Sequence, residues 1–156
     1  MHRQTLPLGL AAVLLTLAGA AQAAPACAPA QTATKDVEAT VRGWFSAFAR
    51  DDFPAGYALQ APGFYAFDAG KRFDGTQLGE LLRSVHASGT KLQWNLGEID
   101  VHVACDQAWA AWVNTGAAGK PGAMQPVTWL ESAVLGYRDG RWRVEFLHSA
   151  RVPPAN

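Results

Sequence analysis

The sequence predicts an α+β domain in which three helices, all before Lys91, pack on one face of an antiparallel sheet. Apolar residues recur at helical spacing as far as Val85, and from Lys91 onward they alternate at period two. Helices gathered at one end of a chain and a strand meander at the other give a helical layer on a sheet, not alternating βα units. Tight-turn dipeptides separate the later strands, above all Asp139-Gly140.

Processing signals come first. His2 and Arg3 precede an uncharged apolar run from Leu6 to Ala20, and Ala21-Gln22-Ala23 supplies the small-x-small pattern of a signal peptidase site. The run is short for a membrane span and is interrupted by Pro7 and Gly9. Residues 1–23 therefore read as a cleaved signal peptide, leaving no membrane span and a periplasmic or secreted protein. Residues 24–34 read as a flexible N-terminal tail and residues 35–154 as one domain.

Thr34 is placed to cap the first helix, with Asp36 and Glu38 in the first turn, where the helix dipole favours negative charge. Val37, Val41, Trp44, Phe45 and Phe48 form its apolar stripe, and Asp51-Asp52-Phe53-Pro54 breaks it. A second short helix runs through Tyr57 and Leu59 and ends near Ala61-Pro62. Phe64 to Asp68 reads as a strand, Ala69-Gly70 as a turn and Lys71 to Phe73 as the return strand. Asp74 then caps a third helix, with Gln77 completing a loose capping box; Leu78, Leu81, Leu82 and Val85 share one face and Gly89 ends it.

Lys91 to Cys105 reads as a half-buried strand, because Ile99, Val101 and Val103 alternate with Glu98, Asp100 and His102. Asp106-Gln107 turns it into Ala108 to Thr115, with Trp109 and Trp112 on opposite faces. Gly116 to Gln125, rich in small residues and containing Pro121, reads as a loop. Pro126 to Arg138 and Arg141 to Arg151 form the closing hairpin.

Composition narrows the function. Formal net charge is zero and no basic block interleaves with aromatic residues, so the electrostatic attraction for nucleic acid is missing. Six Trp, three Tyr and seven Phe suit an aromatic-lined cavity or a large apolar interface. Cys27 and Cys105 are expected to form a disulfide in an exported protein; the alternative is a buried free Cys105 and a loose Cys27. No Cys/His cluster has zinc spacing, and no nucleophile elbow, phosphate-cradling glycine loop or dinucleotide fingerprint is present. Neither a metal nor another cofactor is expected.

The closing stretch VLGYRDGRWRVEFLHSARVPP, Val134 to Pro154, and the order of elements over Lys35 to Pro154 resemble the SnoaL-like and nuclear transport factor 2-like superfamily, which includes the ketosteroid isomerase-like proteins. RDGRWRV…HS also resembles the association domain of calcium/calmodulin-dependent kinase. The resemblance implies a cystatin-like cone, in which a bent sheet wraps the first helix around one deep pocket, and homodimers formed through the outer sheet face. It implies little about chemistry, since that fold hosts isomerases, hydrolases, cyclases and plain binding modules.

Asp68 is the first catalytic candidate. The steroid isomerase branch keeps a general-base Asp at a matching place, and an apolar pocket desolvates a carboxylate and raises its pKa. The rest of that machinery is absent: by spacing its helical Tyr corresponds to Trp44 and its neutral carboxylic acid to Ala133, so steroid isomerisation is not expected. Asp68 also reads as a turn residue bonding the backbone of Ala69-Gly70-Lys71. Glu131 shares a strand face with Trp129, Ala133, Leu135 and Tyr137; it either enters the pocket as an acid–base partner of Asp68 or pairs across a dimer interface. His148, counted at period two from Trp142, Val144 and Phe146, falls on the apolar face if the strand has no bulge; its other reading is a packed histidine bonded to a carbonyl. Trp44, Phe48, Tyr57, Tyr65 and Trp129 are the expected ligand-binding residues. Two functions follow. One is an exported binding or assembly module, homodimeric and holding a small apolar ligand. The other is an acid–base enzyme of isomerase, cyclase or epoxide-hydrolase type, using Asp68 with Glu131 or His148.

Overall fold

A computed structural model describes residues 27–153, and within them three helices and seven strands follow the expected order. The leader expected over residues 1–23 lies outside the described residues. Helix α1 (Ala33–Ala49) buries its whole stripe, with Val37, Val41, Trp44, Phe45 and Phe48 at most 6 % exposed. Thr32, not Thr34, holds the N-cap position, and no side chain caps it. Trp44 packs edge-to-face on Phe45 and on Phe48, each with ring centres 5.1 Å apart.

Helix α2 (Phe53–Ala58) starts where Asp52 accepts the Ala55 N–H at 3.2 Å and Pro54 sits in the first turn. It stops earlier than the sequence suggests, because Leu59 is already tied to the sheet: its carbonyl accepts the Val144 N–H at 2.8 Å. Strand β1 (Gln60–Asp68) therefore contains Pro62 and Gly63, which fall between two registers, where a missing N–H breaks no ladder bond. Strand β2 (Lys71–Asp74) pairs with β1 across the Ala69-Gly70 turn. In helix α3 (Gln77–Ala87) the Gln77 amide accepts the Asp74 N–H at 2.9 Å, while the Asp74 carboxylate is taken by Arg72 and Thr76 stands at the N-cap.

The remaining strands are β3 (Lys91–Gln93), β4 (Leu96–Ala104), β5 (Gln107–Lys120), β6 (Ala123–Arg138) and β7 (Arg141–Arg151). The sheet runs β2-β1-β7-β6-β5-β3, with β4 also paired to β5. Every pairing is antiparallel except β1 with β7, which places the first strand beside the last. Among the described residues no helix is long and apolar enough to cross a membrane.

Two expectations about the strands are corrected. Gly116 to Gln125 is not a loop: β5 and β6 continue through it as one ribbon that turns at Pro121-Gly122. A side chain at Gly116 would stand 1.9 Å from the Gln93 carbonyl oxygen, so its absence lets β3 seat on β5. The strand expected from Lys91 to Cys105 is interrupted at Trp94-Asn95, where the Asn95 carbonyl accepts the Thr115 N–H at 3.0 Å.

Cys27 and Cys105 form a disulfide across a separation of 78 residues, and the Ala28 N–H donates to the Cys105 carbonyl at 3.1 Å. The bridge ties the start of the domain to the β4–β5 turn. Replacing both cysteines by serine is expected to lower the unfolding free energy by about 2–4 kcal/mol. Urea titration without reductant measures the loss, and an unchanged midpoint and slope would contradict it.

Candidate functional site

Four strands bring their side chains into one row. Asp68 on β1 is in register with Ser149 on β7, Ser149 with Glu131 on β6, and Glu131 with Trp112 on β5. Neighbouring strands lie about 4.8 Å apart, which puts the Asp68 and Glu131 backbones roughly 10 Å apart with Ser149 between them. The row lies on the helix-covered face: Trp112, Glu131 and Ser149 are buried and Asp68 is half-buried.

Glu131, 6 % exposed, is held by three donors. Its Oε2 accepts the Trp112 Nε1–H at 2.7 Å and the Asn114 Nδ2–H at 2.9 Å; its Oε1 accepts the Ser149 Oγ–H at 2.9 Å. Asn114 is wholly buried and its Oδ1 accepts the Asn95 backbone N–H at 3.0 Å, so its NH₂ must face Glu131. An indole N–H can only donate as well. Both bonds to Oε2 are thus one-way, and a proton taken up by Glu131 resides on Oε1. Burial pushes the Glu131 carboxyl above the usual carboxylate range; the bonds from Asn114, Ser149 and Trp112 oppose the rise, and the charge of Asp68 adds to it. Burial likewise raises Asp68, opposed by the Ala69 backbone N–H and the His148 imidazole.

Asp68, Glu131 and Ser149 open on a cavity of about 250 Å³. Trp44, Phe45 and Phe48 of α1 form one wall, and Trp94 and Trp129 a second. The apolar stripe of α3, Leu78, Leu81, Leu82 and Val85, forms a third. This volume is near the lower end of ordinary ligand pockets, roughly 300–1,000 Å³, and fits a small molecule.

Of the residues expected at the pocket, Trp44, Phe48, Trp129, Asp68 and Glu131 line the cavity, and three others do not. Tyr57 packs on Phe48 and Phe53 and lies so close to Gly79 that a side chain there would stand 2.6 Å from the Tyr57 ring and hydroxyl. Tyr65 is on the opposite face of β1, because Phe64, Ala66 and Asp68 turn inward; the Arg72 guanidinium lies 4.0 Å from its ring centre. His148 is exposed, because a bulge at Glu145 reverses the alternation of β7 and turns Leu147 and Ser149 inward instead. His86, on α3, bonds the Asp51 carboxylate at 2.5 Å.

Asn114, Trp112 and Ser149 were not singled out from sequence. Asn114 did carry a signal, since it continues the inward row Ala108, Ala110 and Trp112 and is a polar residue in an apolar series. Ser149 carried none, because the bulge displaces it.

Comparison with known proteins agrees with this fold. The SnoaL-like domain family matches residues 37–154. An NTF2-like family protein from Streptomyces avermitilis superposes with a TM-score of 0.71 at 16 % identity, over 81 % of this chain and 100 % of its own. A ketosteroid isomerase-like protein from Erwinia carotovora atroseptica gives 0.65 at 21 % identity, over 78 % and 97 %. The CamKII hub homology domain of Chlamydomonas reinhardtii gives 0.64 at 17 % identity, over 78 % and 98 %. At these identities the likeness speaks for the fold. No curated protein matches the chain.

A carboxyl whose pKa the fold raises binds its proton more tightly folded than unfolded, so its stabilising contribution is lost as pH rises through the folded value. Glu131→Gln keeps the shape and presents its amide oxygen to Trp112 and Asn114, but it cannot ionise. The stability of this variant relative to wild type is expected to increase between pH 4 and pH 8. Urea unfolding across that range checks it, and a difference that shrinks with pH would contradict the burial of an ionising Glu131.

Proposed function

The chain belongs to the SnoaL-like domain family, and on that footing we propose that it is an exported module that binds a small, largely apolar molecule between α1, α3 and the sheet. One observation carries the proposal: the walls of the cavity are aromatic and aliphatic, and its acidic and hydroxyl groups stand along one row. An apolar hollow with a few convergent polar groups is the usual form of a small-molecule site. The disulfide fits an oxidising compartment, and with the leader-like residues 1–23 it favours a periplasmic or secreted location.

The outer sheet face supports assembly as a homodimer. Phe67, Trp109, Val113 and Leu130 are each more than 40 % exposed there, and Tyr65, Phe67 and Phe146 form one aromatic cluster. Sedimentation is expected to show a dimer, and a monomer persisting at high protein concentration would refute it.

The acid–base reading is kept because Asp68 and Glu131 face one cavity, as an acid–base pair must, and burial raises both carboxyls. His148, on the other face, has no place in it.

Native mass spectrometry of freshly purified protein, followed by a screen of hydrophobic ligands read by Trp fluorescence, tests binding. Leu81→Trp, at the half-exposed edge of α3, is expected to weaken any ligand found by roughly tenfold or more by occupying its space. Unchanged affinity in that variant would place the ligand elsewhere. The same ligand incubated in D₂O separates the two functions: deuterium uptake or a new product that disappears in Asp68→Asn marks the enzyme, and recovery of the ligand unchanged and unlabelled marks the binding module.

A further inference from the structure

Neither carboxylate of the cavity is held in an ion pair, although the His148 side chain partly offsets Asp68 from the other face of the sheet. Among the described residues neither Asp68 nor Glu131 forms an ion pair with any Lys, Arg or His, and Glu131 is buried while Asp68 is half-buried. Arg151 reaches the same cavity from the end of β7 and pairs with neither. The three groups that bond Glu131 are neutral: they solvate its charge and do not cancel it. A buried carboxylate is ordinarily paired, and a second one in the same row makes the deficit larger.

The remaining walls are largely aromatic. Trp44, Trp94, Trp129, Phe45 and Phe48 line the space, and an aromatic ring accommodates a cation on its face, where its quadrupole is negative. Glu131 Oε2 already takes two N–H bonds, while Oε1 takes only the Ser149 hydroxyl and keeps room for another donor. Two carboxylates that no lining cation pairs with, set among aromatic walls, favour one kind of ligand: a compact apolar body that carries a positive charge.

We propose that the cavity binds a small organic cation, an amine protonated at neutral pH, with its ammonium group between Glu131 Oε1 and Asp68 and its apolar part against the indole rings. This rests on the cavity being a small-molecule site and names the chemical class that site selects. The ligand provides the charge that the row Asp68, Ser149, Glu131 lacks.

The test uses three probes of one shape, 2-phenylethylammonium, 2-phenylethanol and 3-phenylpropanoate, titrated at neutral pH into the folded protein with Trp fluorescence and calorimetry as readouts. The ammonium is expected to bind roughly tenfold tighter than the alcohol, and the anion weakest. Glu131→Gln and Asp68→Asn are each expected to reduce the preference for the cation while the alcohol still binds; circular dichroism shows that each variant is folded. Asp68 is half-buried at a strand end, so its variant remains informative if Glu131→Gln does not fold. Equal or tighter binding of the alcohol or the anion would overturn the assignment of a cation and leave the small-molecule site standing. A preference unchanged in a folded variant would overturn it too. Failure of all three probes to bind at millimolar concentration would overturn the small-molecule site itself.

Discussion

The extra residue at Glu145 turns the second half of β7 over, and the identity of the cavity follows from it. Leu135 is in register with Val144 and Val134 with Phe146, which leaves Glu145 without a partner on β6. Before the bulge Trp142 and Val144 point inward; after it Leu147 and Ser149 do. With a regular strand Ser149 would face outward and Glu131 would lose the donor on Oε1. The bulge is accommodated on β6 by Gly136, where a side chain would stand 1.9 Å from the Glu145 carboxylate, and Arg138 reaches that carboxylate at 3.3 Å. Strand β1 is irregular at the same level, between Gln60 and Tyr65, so the two parallel neighbours change register together.

Burying Glu131 is a poor way to stabilise a core, since an apolar residue of like volume would avoid the desolvation. Its retention beside Asp68, with Trp112, Asn114 and Ser149 arranged around it, suits a site better than a packing solution. The local chain supports this economically. Asn114 is fixed by the Asn95 backbone, and Asn95 lies in the break that separates β3 from β4. Trp94, one residue earlier, stands in the cavity wall and packs on Phe45 with ring centres 5.4 Å apart. One interruption in a strand thus positions both a wall and a hydrogen-bond clamp.

The helices divide the work. Helix α1 is core: its stripe is buried throughout and its aromatic residues contact Phe64 and Trp112 as well as one another. Helix α3 is lightly held, with only Leu78 and Gly79 buried, and its leucines face the cavity instead of a packed layer. Its amphipathic pattern looks in sequence like that of a core helix, because a cavity wall and a core face demand the same apolar spacing.

Most of the architecture was legible in the chain, since periodicity of 3.6 or 2 and turn chemistry are local properties. The stripe of α1, the alternation of β4 and the Asp139-Gly140 hairpin are all of this kind, while the Cys27–Cys105 bridge was expected from two cysteines in a chain with a leader. That Trp129 and Glu131 share one face of β6 was legible too, but not whether that face meets the pocket or a second copy of the chain. Register was not legible. Tyr65 faces out and Asp68 in because β1 joins β7 in parallel beyond a bulge, and His148 exchanges places with Ser149 because one residue in β7 is left unpaired. A shift of one residue sends every later side chain to the opposite face, and the partner strands that select the shift are distant in sequence.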